Sequence, residues 1–408
     1  MLFEVTFAEM IRRLLLVASI LLSSIFLKAE SYRNVSVSLL TVSPGTELYS
    51  LFGHSAIRIQ DPLHGIDDVY NFGTFDFDTP NFGLKFVSGR LDYMLALNTF
   101  SQVYQSYLWE ERAMTEQILN LTSDQKKKII SLLEENYRPE NRFYRYAFLD
   151  DNCATRIRDV IEEGLSDSTV FSSAKTSYAQ LSYRQLLKQF LTNYPWVDLG
   201  IDLAIGLPSD KVTNNREKMF LPEYMKQLVE ASSLKNGEKL AIQSRSLLTD
   251  IKEPFETVNF ITPISIFFAI LTLSLIGFSA KQFSRIFSAI FYFSLGLLGI
   301  VLTLTSFATD HDALRNNLNL LWALPFNIIM FRAAGKKAIS KFSRYYFFSV
   351  GIIALLLLAL WGNFPQQFNN SIIPILLTIV VTSIQISIQR YVPLKEKGTA
   401  IKKKKMFV

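Results

Sequence analysis

Phe148–Asp159 reads F-L-D-D-N-C-A-T-R-I-R-D and holds the only cysteine in the 408-residue chain. Asp150, Asp151 and Asn152 are all good helix N-caps. The residues after them predict a helix up to Gly164, a natural left-handed stop. Ile157, Val160, Ile161 and Leu165 recur at helical spacing, and Cys153 lies one turn before Ile157 on the same inward face. A thiol in the first turn of a helix meets the positive end of the dipole and unsatisfied N–H groups, which favour the thiolate. Arg156 and Arg158 add positive potential. Taken alone, a cysteine on an apolar face is more often core filler.

Leu51–Gln60, L-F-G-H-S-A-I-R-I-Q, changes that balance. His54, one of three histidines, opens a segment that alternates like a strand. A catalytic thiol needs an imidazole within hydrogen-bond reach and a further polar group to orient the imidazole. Asp61-Pro62-Leu63-His64-Gly65 predicts a hairpin turn, with His64 solvated at its tip, leading into a second strand, Val69–Phe77. Asn71 would then face the His54 strand and hold the imidazole through Nδ1–H. Tyr70 and Asp76 compete for the role, because ladder register is not set by sequence. A helix-borne Cys with a strand-borne His is the papain-type arrangement. Here His comes about a hundred residues before Cys, the reverse of papain. That order resembles the circularly permuted papain-like group, which includes NlpC-type relatives and the lecithin–retinol acyltransferases.

Longer strings sharpen the resemblance. Ser43–Ile59 (S-P-G-T-E-L-Y-S-L-F-G-H-S-A-I-R-I), Val69–Phe77 (V-Y-N-F-G-T-F-D-F) and Asp151–Asp159 (D-N-C-A-T-R-I-R-D) look like the periplasmic domain of Lnb-type lipoprotein N-acyltransferases. Leu199–Asp210 (L-G-I-D-L-A-I-G-L-P-S-D) and the C-terminal membrane segments resemble the same family. The resemblance implies transfer of a phospholipid acyl chain, through a thioester, to the α-amine of a diacylglyceryl lipoprotein. It implies Cys153 as nucleophile, His54 as base and then acid, and Asn71 as orienter. Arg58 and Asp151, in the same strings, join the candidates for substrate binding. No cofactor or metal is called for.

Charge divides the chain. Residues 1–255 carry 27 Lys and Arg against 32 Asp and Glu, and residues 256–408 carry 15 against 4. The basic excess lies between apolar spans, where it sets topology and does not point to nucleic acid. Residues 1–29 read as a secretory signal, with Arg12 and Arg13 before the apolar run Leu14–Leu27 and a small residue at Ala29; an uncleaved anchor is the other reading. Residues 30–255 form the exported catalytic domain, and an exported free thiol needs a reason. Residues 256–408 hold five apolar segments: Phe260–Ala280, Ile286–Ala308, Leu318–Phe331, Tyr345–Trp361 and Ile372–Ile388. The third is short, with Pro325 and Asn327 inside it, and is open to a re-entrant reading. If all five cross, 14 basic residues fall inside and only Arg315 outside. The fold class is therefore α+β: a permuted papain-like domain followed by an all-α bundle of about five transmembrane helices. The protein belongs in the inner membrane with its catalytic domain in the periplasm.

That topology places Thr309–Asn319, T-D-H-D-A-L-R-N-N-L-N, on the outer side. By composition it is a solvated loop. The Lnb-like pattern of a His followed by N-x-N-L-L-W makes His311 and Asn317 candidates for headgroup binding. Among the remaining stretches, Val35–Val42 and Arg142–Phe148 read as strands, and Thr122–Asn136 and Lys211–Leu248 as helices. Aromatic-rich Tyr93–Glu110 lines a core or an acyl channel. Trp196–Leu207 is unusually apolar for an exported domain and reads as buried core or as an amphipathic contact with the bilayer. The competing function is a membrane-tethered NlpC-like cysteine peptidase or amidase acting on cell-wall peptides. A non-enzymatic envelope-binding domain with a buried thiol is a third reading.

Overall fold

The computed structural model describes residues 12–17, 32–167, 169–171, 174, 180–249 and 261–389. Most of the signal segment, the link after Thr249 and the basic tail lie outside the described residues. The chain divides into two compact units: Met1–Leu191 with Lys211–Glu256, and Thr192–Asp210 with Thr257–Val408. The stretch around Trp196–Leu207 thus groups with the membrane segments, not with the exported domain.

The first unit is built on a seven-stranded antiparallel sheet. In chain order its strands are β1 (Ser36–Val42), β2 (His54–Asp61), β3 (Ile66–Thr74), β4 (Asp92–Thr99), β5 (Met114–Leu119), β6 (Phe143–Arg145) and β7 (Ala241–Leu248). Their spatial order is β6-β4-β3-β2-β1-β5-β7. Helix α1 (Phe82–Ser88) follows β3, α2 (Phe100–Trp109) follows β4, α3 (Ser123–Tyr137) follows β5, and α4 (Cys153–Leu165) follows β6. The central strands alternate between two cores because successive side chains point to opposite faces. Val37, Leu39, Ile57, Ile59, Tyr70 and Phe72 join α3 and α4 on one face. Leu40, Val42, Ala56 and Val69 join Val103 of α2 on the other.

Several expected elements are present and three differ. Thr122 caps α3 with a reciprocal Gln125 box, as its sequence suggests. Lys211–Leu248 is not one helix: after the Pro222–Ala231 helix the chain turns and adds β7 to β5 at the sheet edge. Gly164 does not end α4. Ser166 takes the left-handed C-terminal position with φ 51°. Gly164 stays helical because Ile129 of α3 packs where its side chain would be. Arg142–Phe148 contributes only the three-residue edge strand β6, paired to β4.

In the second unit, three helices are long and apolar enough to cross a membrane, among the described residues: Lys281–Ala308, Lys341–Ala359 and Asn370–Ser387. Pro263–Ile276 is a shorter apolar helix of 14 residues. The third expected span is not continuous. A 3-10 turn at Leu318–Leu321 is followed by a bend through Pro325 and the eight-residue helix Asn327–Ala334. The bend lies against glycines: a β-carbon on Gly299 or Gly296 would overlap the backbone at Ala323 or Ile328. Polar side chains join the helices. The Tyr292 hydroxyl lies 3.2 Å from Thr382 Oγ1 and 3.0 Å from Ser383 Oγ, and Gln385 donates to the Ser274 carbonyl at 2.8 Å.

Candidate active site

Asn152 starts α4 and so positions Cys153. Its Oδ1 accepts from Ala154 N–H and Thr155 N–H, both at 2.9 Å, while Thr155 Oγ1 accepts from Asn152 N–H at 2.7 Å. Its Nδ2 donates to Phe148 O and Phe220 O, both at 2.8 Å. Such a cap is worth about 1 kcal/mol, and here it also fixes which residue is first in the helix. Cys153 is free and buried at that first position.

His54 begins β2, opposite Val42 of β1. The last β2–β3 ladder pair is Ile57–Tyr70, and the same register carried onward brings Asn71 beside Ala56 and Gly73 beside His54. Tyr70 packs into the core on the α4 face, so Asn71 turns to the face that His54 occupies. Asn71 Oδ1 lies 3.2 Å from His54 Nε2, and its Nδ2 donates to Asn98 Oδ1 at 3.2 Å. The contact uses Nε2 and not the expected Nδ1. Asn71 sits two residues along the ladder, and the distal ring nitrogen makes that reach. Tyr70 and Asp76, the other candidates for orienter, are engaged elsewhere, Asp76 by accepting from Asp78 N–H at 2.9 Å.

Gly73 lets the helix and sheet meet. It lies in the irregular stretch of β3–β4 pairing between Asn71 and Thr74 and has φ +87°, a conformation that favours glycine. A β-carbon there would stand 3.4 Å from Cys153 Cβ and 3.4 Å from Tyr146 Cε2. The Cys153 side chain comes within hydrogen-bond reach of His54 in this slot.

The two groups shift each other's proton affinity. Burial by itself would push the Cys153 thiol up, but the charge and hydrogen bond of His54 and the N–H groups of Ser55 and Ala154 outweigh it and hold the thiol low. Burial alone would pull His54 down. The thiolate and the Asn71 hydrogen bond outweigh that and raise it, with the Arg112 guanidinium working against them. Both shifts run towards the charged form of each group, thiolate for Cys153 and imidazolium for His54. Arg156 and Arg158 do not act as free positive charges: Arg156 pairs with Asp151 at 2.6 Å and Arg158 with Asp159 at 2.8 Å.

The sequence alone did not single out Asn98, Gly73 or Arg112. Arg112 Nε donates to Ser43 O at 2.8 Å, and its guanidinium lies 5.1 Å from the Tyr107 ring, which is 6.5 Å from the His54 ring. Arg58 is a buried ion-pair centre, bound to Asp67 at 2.6 Å and Glu116 at 3.1 Å, with Phe100 against its guanidinium. In the second unit, Asn317 Nδ2 donates to Leu203 O at 2.7 Å and Ala204 O at 3.0 Å, capping the last carbonyls of the Pro195–Ala204 helix. His311 precedes the 3-10 turn Asp312–Leu314. Asn369 Nδ2 ties the same Pro195–Ala204 helix through Asp198 at 2.7 Å and Asp202 at 3.0 Å.

Two family models match the chain: the Lnb N-terminal periplasmic domain over residues 24–189 and the Lnb transmembrane domain over residues 255–392. The chain belongs to the Lnb-type lipoprotein N-acyltransferase family. Searches of curated proteins and of solved structures return no match. Family membership makes the chain a multi-pass inner-membrane protein with its N-terminal domain in the periplasm, from a family of membrane enzymes that modify lipoproteins. The thiol, imidazole and amide lie in the periplasmic Lnb domain.

Proposed function

We propose that the chain is a cysteine-dependent acyltransferase that moves an acyl chain from a phospholipid to the N-terminal amine of a diacylated lipoprotein. The observation that carries this reading is the buried Cys153 at the start of α4, against a His54 held by Asn71. The thiolate attacks the ester carbonyl of the donor. Collapse of the tetrahedral intermediate forms the thioester and expels an alkoxide, which takes the proton from His54 and leaves as lysophospholipid. The amine of the diacylglyceryl-cysteine then attacks the thioester, and the proton it sheds passes to His54 as the amide forms and the thiolate departs. The N–H of Cys153 at the start of α4 contributes to stabilising the oxyanion in both steps. A thioester withstands water but yields to amines, which suits transfer over hydrolysis where water is excluded.

The periplasmic domain follows a permuted papain-like plan, with the strand-borne His before the helix-borne Cys. The membrane unit crosses five times, the broken Leu318–Ala334 segment making the third pass, because only odd passage puts the basic loops inside. His311 and Asn317 lie in its outer loop, where Asn317 acts by holding the Pro195–Ala204 helix. Arg58 and Asp151 serve the site through their ion pairs.

Intact mass of the purified protein, incubated with a defined phospholipid and then with or without hydroxylamine, tests this. A gain of one acyl chain that needs Cys153 and is removed by hydroxylamine is the expected result. No adduct on folded, lipid-bound protein overturns the acyl-enzyme and favours a cell-wall peptidase.

A further inference from the structure

Helix α1, F-G-L-K-F-V-S, buries none of its residues. Leu84 is 72% exposed and Val87 54%, and Phe77, just before the helix, is 65% exposed. Seven-residue helices in soluble domains ordinarily turn such side chains inward, and a contiguous apolar patch on a protein surface marks a contact site. Lys85 lies in the same helix, and a lysine stem can lie along apolar surface while its ammonium reaches phosphate.

The patch continues inward to the thiol. The Phe77 ring lies 4.9 Å from Phe75, Phe75 lies 5.3 Å from Tyr93, and Tyr93 stacks on Tyr146 at 4.4 Å. Tyr146 flanks the Gly73 slot in which Cys153 lies. A continuous series of ring contacts therefore runs from Phe82 of exposed α1, through Phe77, Phe75 and Tyr93, to Tyr146 beside the nucleophile. The domain that carries it is tethered to a bilayer by its own membrane segments.

We infer that α1 is an interfacial lipid-contact element: it dips into the headgroup–acyl boundary of the outer leaflet, and the series of rings behind it conducts a lipid acyl chain to Cys153. The partner is the lipid surface, because the patch joins aliphatic and aromatic side chains to a lysine on a domain tethered to a bilayer. The conducting role rests on the acyltransferase reading; the lipid contact does not.

The test uses the full chain in phosphatidylethanolamine–phosphatidylglycerol nanodiscs. With Cys153→Ser removing the native thiol, a Leu84→Cys variant is labelled with an environment-sensitive fluorophore, and Asn236→Cys serves as an exposed control. Blue-shifted emission at position 84, quenched by lipids brominated near the top of the chain and absent at 236, is expected. In the native-thiol background, Leu84→Asp with Val87→Asp should lower Cys153 acylation from nanodisc lipid roughly tenfold or more, since the charges resist interfacial insertion. Acylation by the water-soluble ester p-nitrophenyl butyrate should not change. Unshifted, unquenched emission overturns the lipid contact, as does transfer between labels on two copies in its place. Quenching with wild-type acylation of the double variant overturns the conducting role. If the wild-type protein takes an acyl group from neither donor, the acyltransferase reading falls while the quenching result still decides the contact.

Discussion

Asn71→Ala removes a side-chain hydrogen bond on His54 Nε2, a 3.2 Å contact, and strands Asn98 Oδ1, which accepts from the same amide at 3.2 Å. The first bond supports an imidazolium, so it counts as charge-assisted, worth about 1.5–3 kcal/mol. At about 1.4 kcal/mol per factor of ten, loss of that support should slow Cys153 acylation roughly ten- to a hundredfold. The direction on pH is set as well. Asn71 helps to raise His54, so without it His54 gives up its proton at lower pH. The thiolate loses its partner, and Cys153 should titrate higher than in the wild type. The assay is the rate of Cys153 alkylation by iodoacetamide across pH, alongside thermal unfolding to confirm an intact domain. A folded Asn71→Ala protein with wild-type acylation and an unmoved alkylation profile would refute the orienting role.

Three further outcomes follow from the same geometry. Cys153→Ser and His54→Ala should each abolish the hydroxylamine-labile mass gain while far-UV circular dichroism stays native; an adduct on either variant sinks the mechanism. In the wild type, alkylation should reach half its maximum below the ordinary thiol value of about 8.5. Burial opposes the low value and His54 overcomes it, so the thiolate is lost only as pH falls through this depressed value, and His54→Ala should move the inflection upward. Gly164→Ala places a methyl on Ile129 and should destabilise the periplasmic domain by about 1–3 kcal/mol, with Ile129→Val restoring part of it in denaturant titrations.

Local signals were legible where chemistry acts over a few residues. Asn152 was readable as a cap and Cys153 as an inward thiol because capping and helical periodicity are short-range. The strands β1 and β2, the Thr122 cap and three of the five apolar segments were legible for the same reason. β7 was missed because Ala241–Leu248 is an exposed edge strand whose polar alternation resembles a helix surface, and only pairing with β5 decides it. The Leu318–Phe331 segment read from sequence as short and open to a re-entrant path, and its break was set by packing. Its apolar content suits a span, but Pro325 and the close approach at Gly296 and Gly299 break it. α1 drew no notice because a seven-residue apolar stretch carries no period long enough to show that it faces outward.

The sequence by itself determined the types of group available: one thiol, a histidine at the mouth of a strand, an amide in the next strand, and a basic, apolar C-terminal third. Those follow from residue identity and spacing, which no packing alters. Only the tertiary structure decided which groups meet. Ladder register chose Asn71 over Tyr70 and Asp76, Gly73 opened the slot, and pairing with Asp151 and Asp159 took the nearby arginines out of the thiol's field. These depend on contacts between residues far apart in the chain, and a one-residue slip in register would turn Asn71 away from His54.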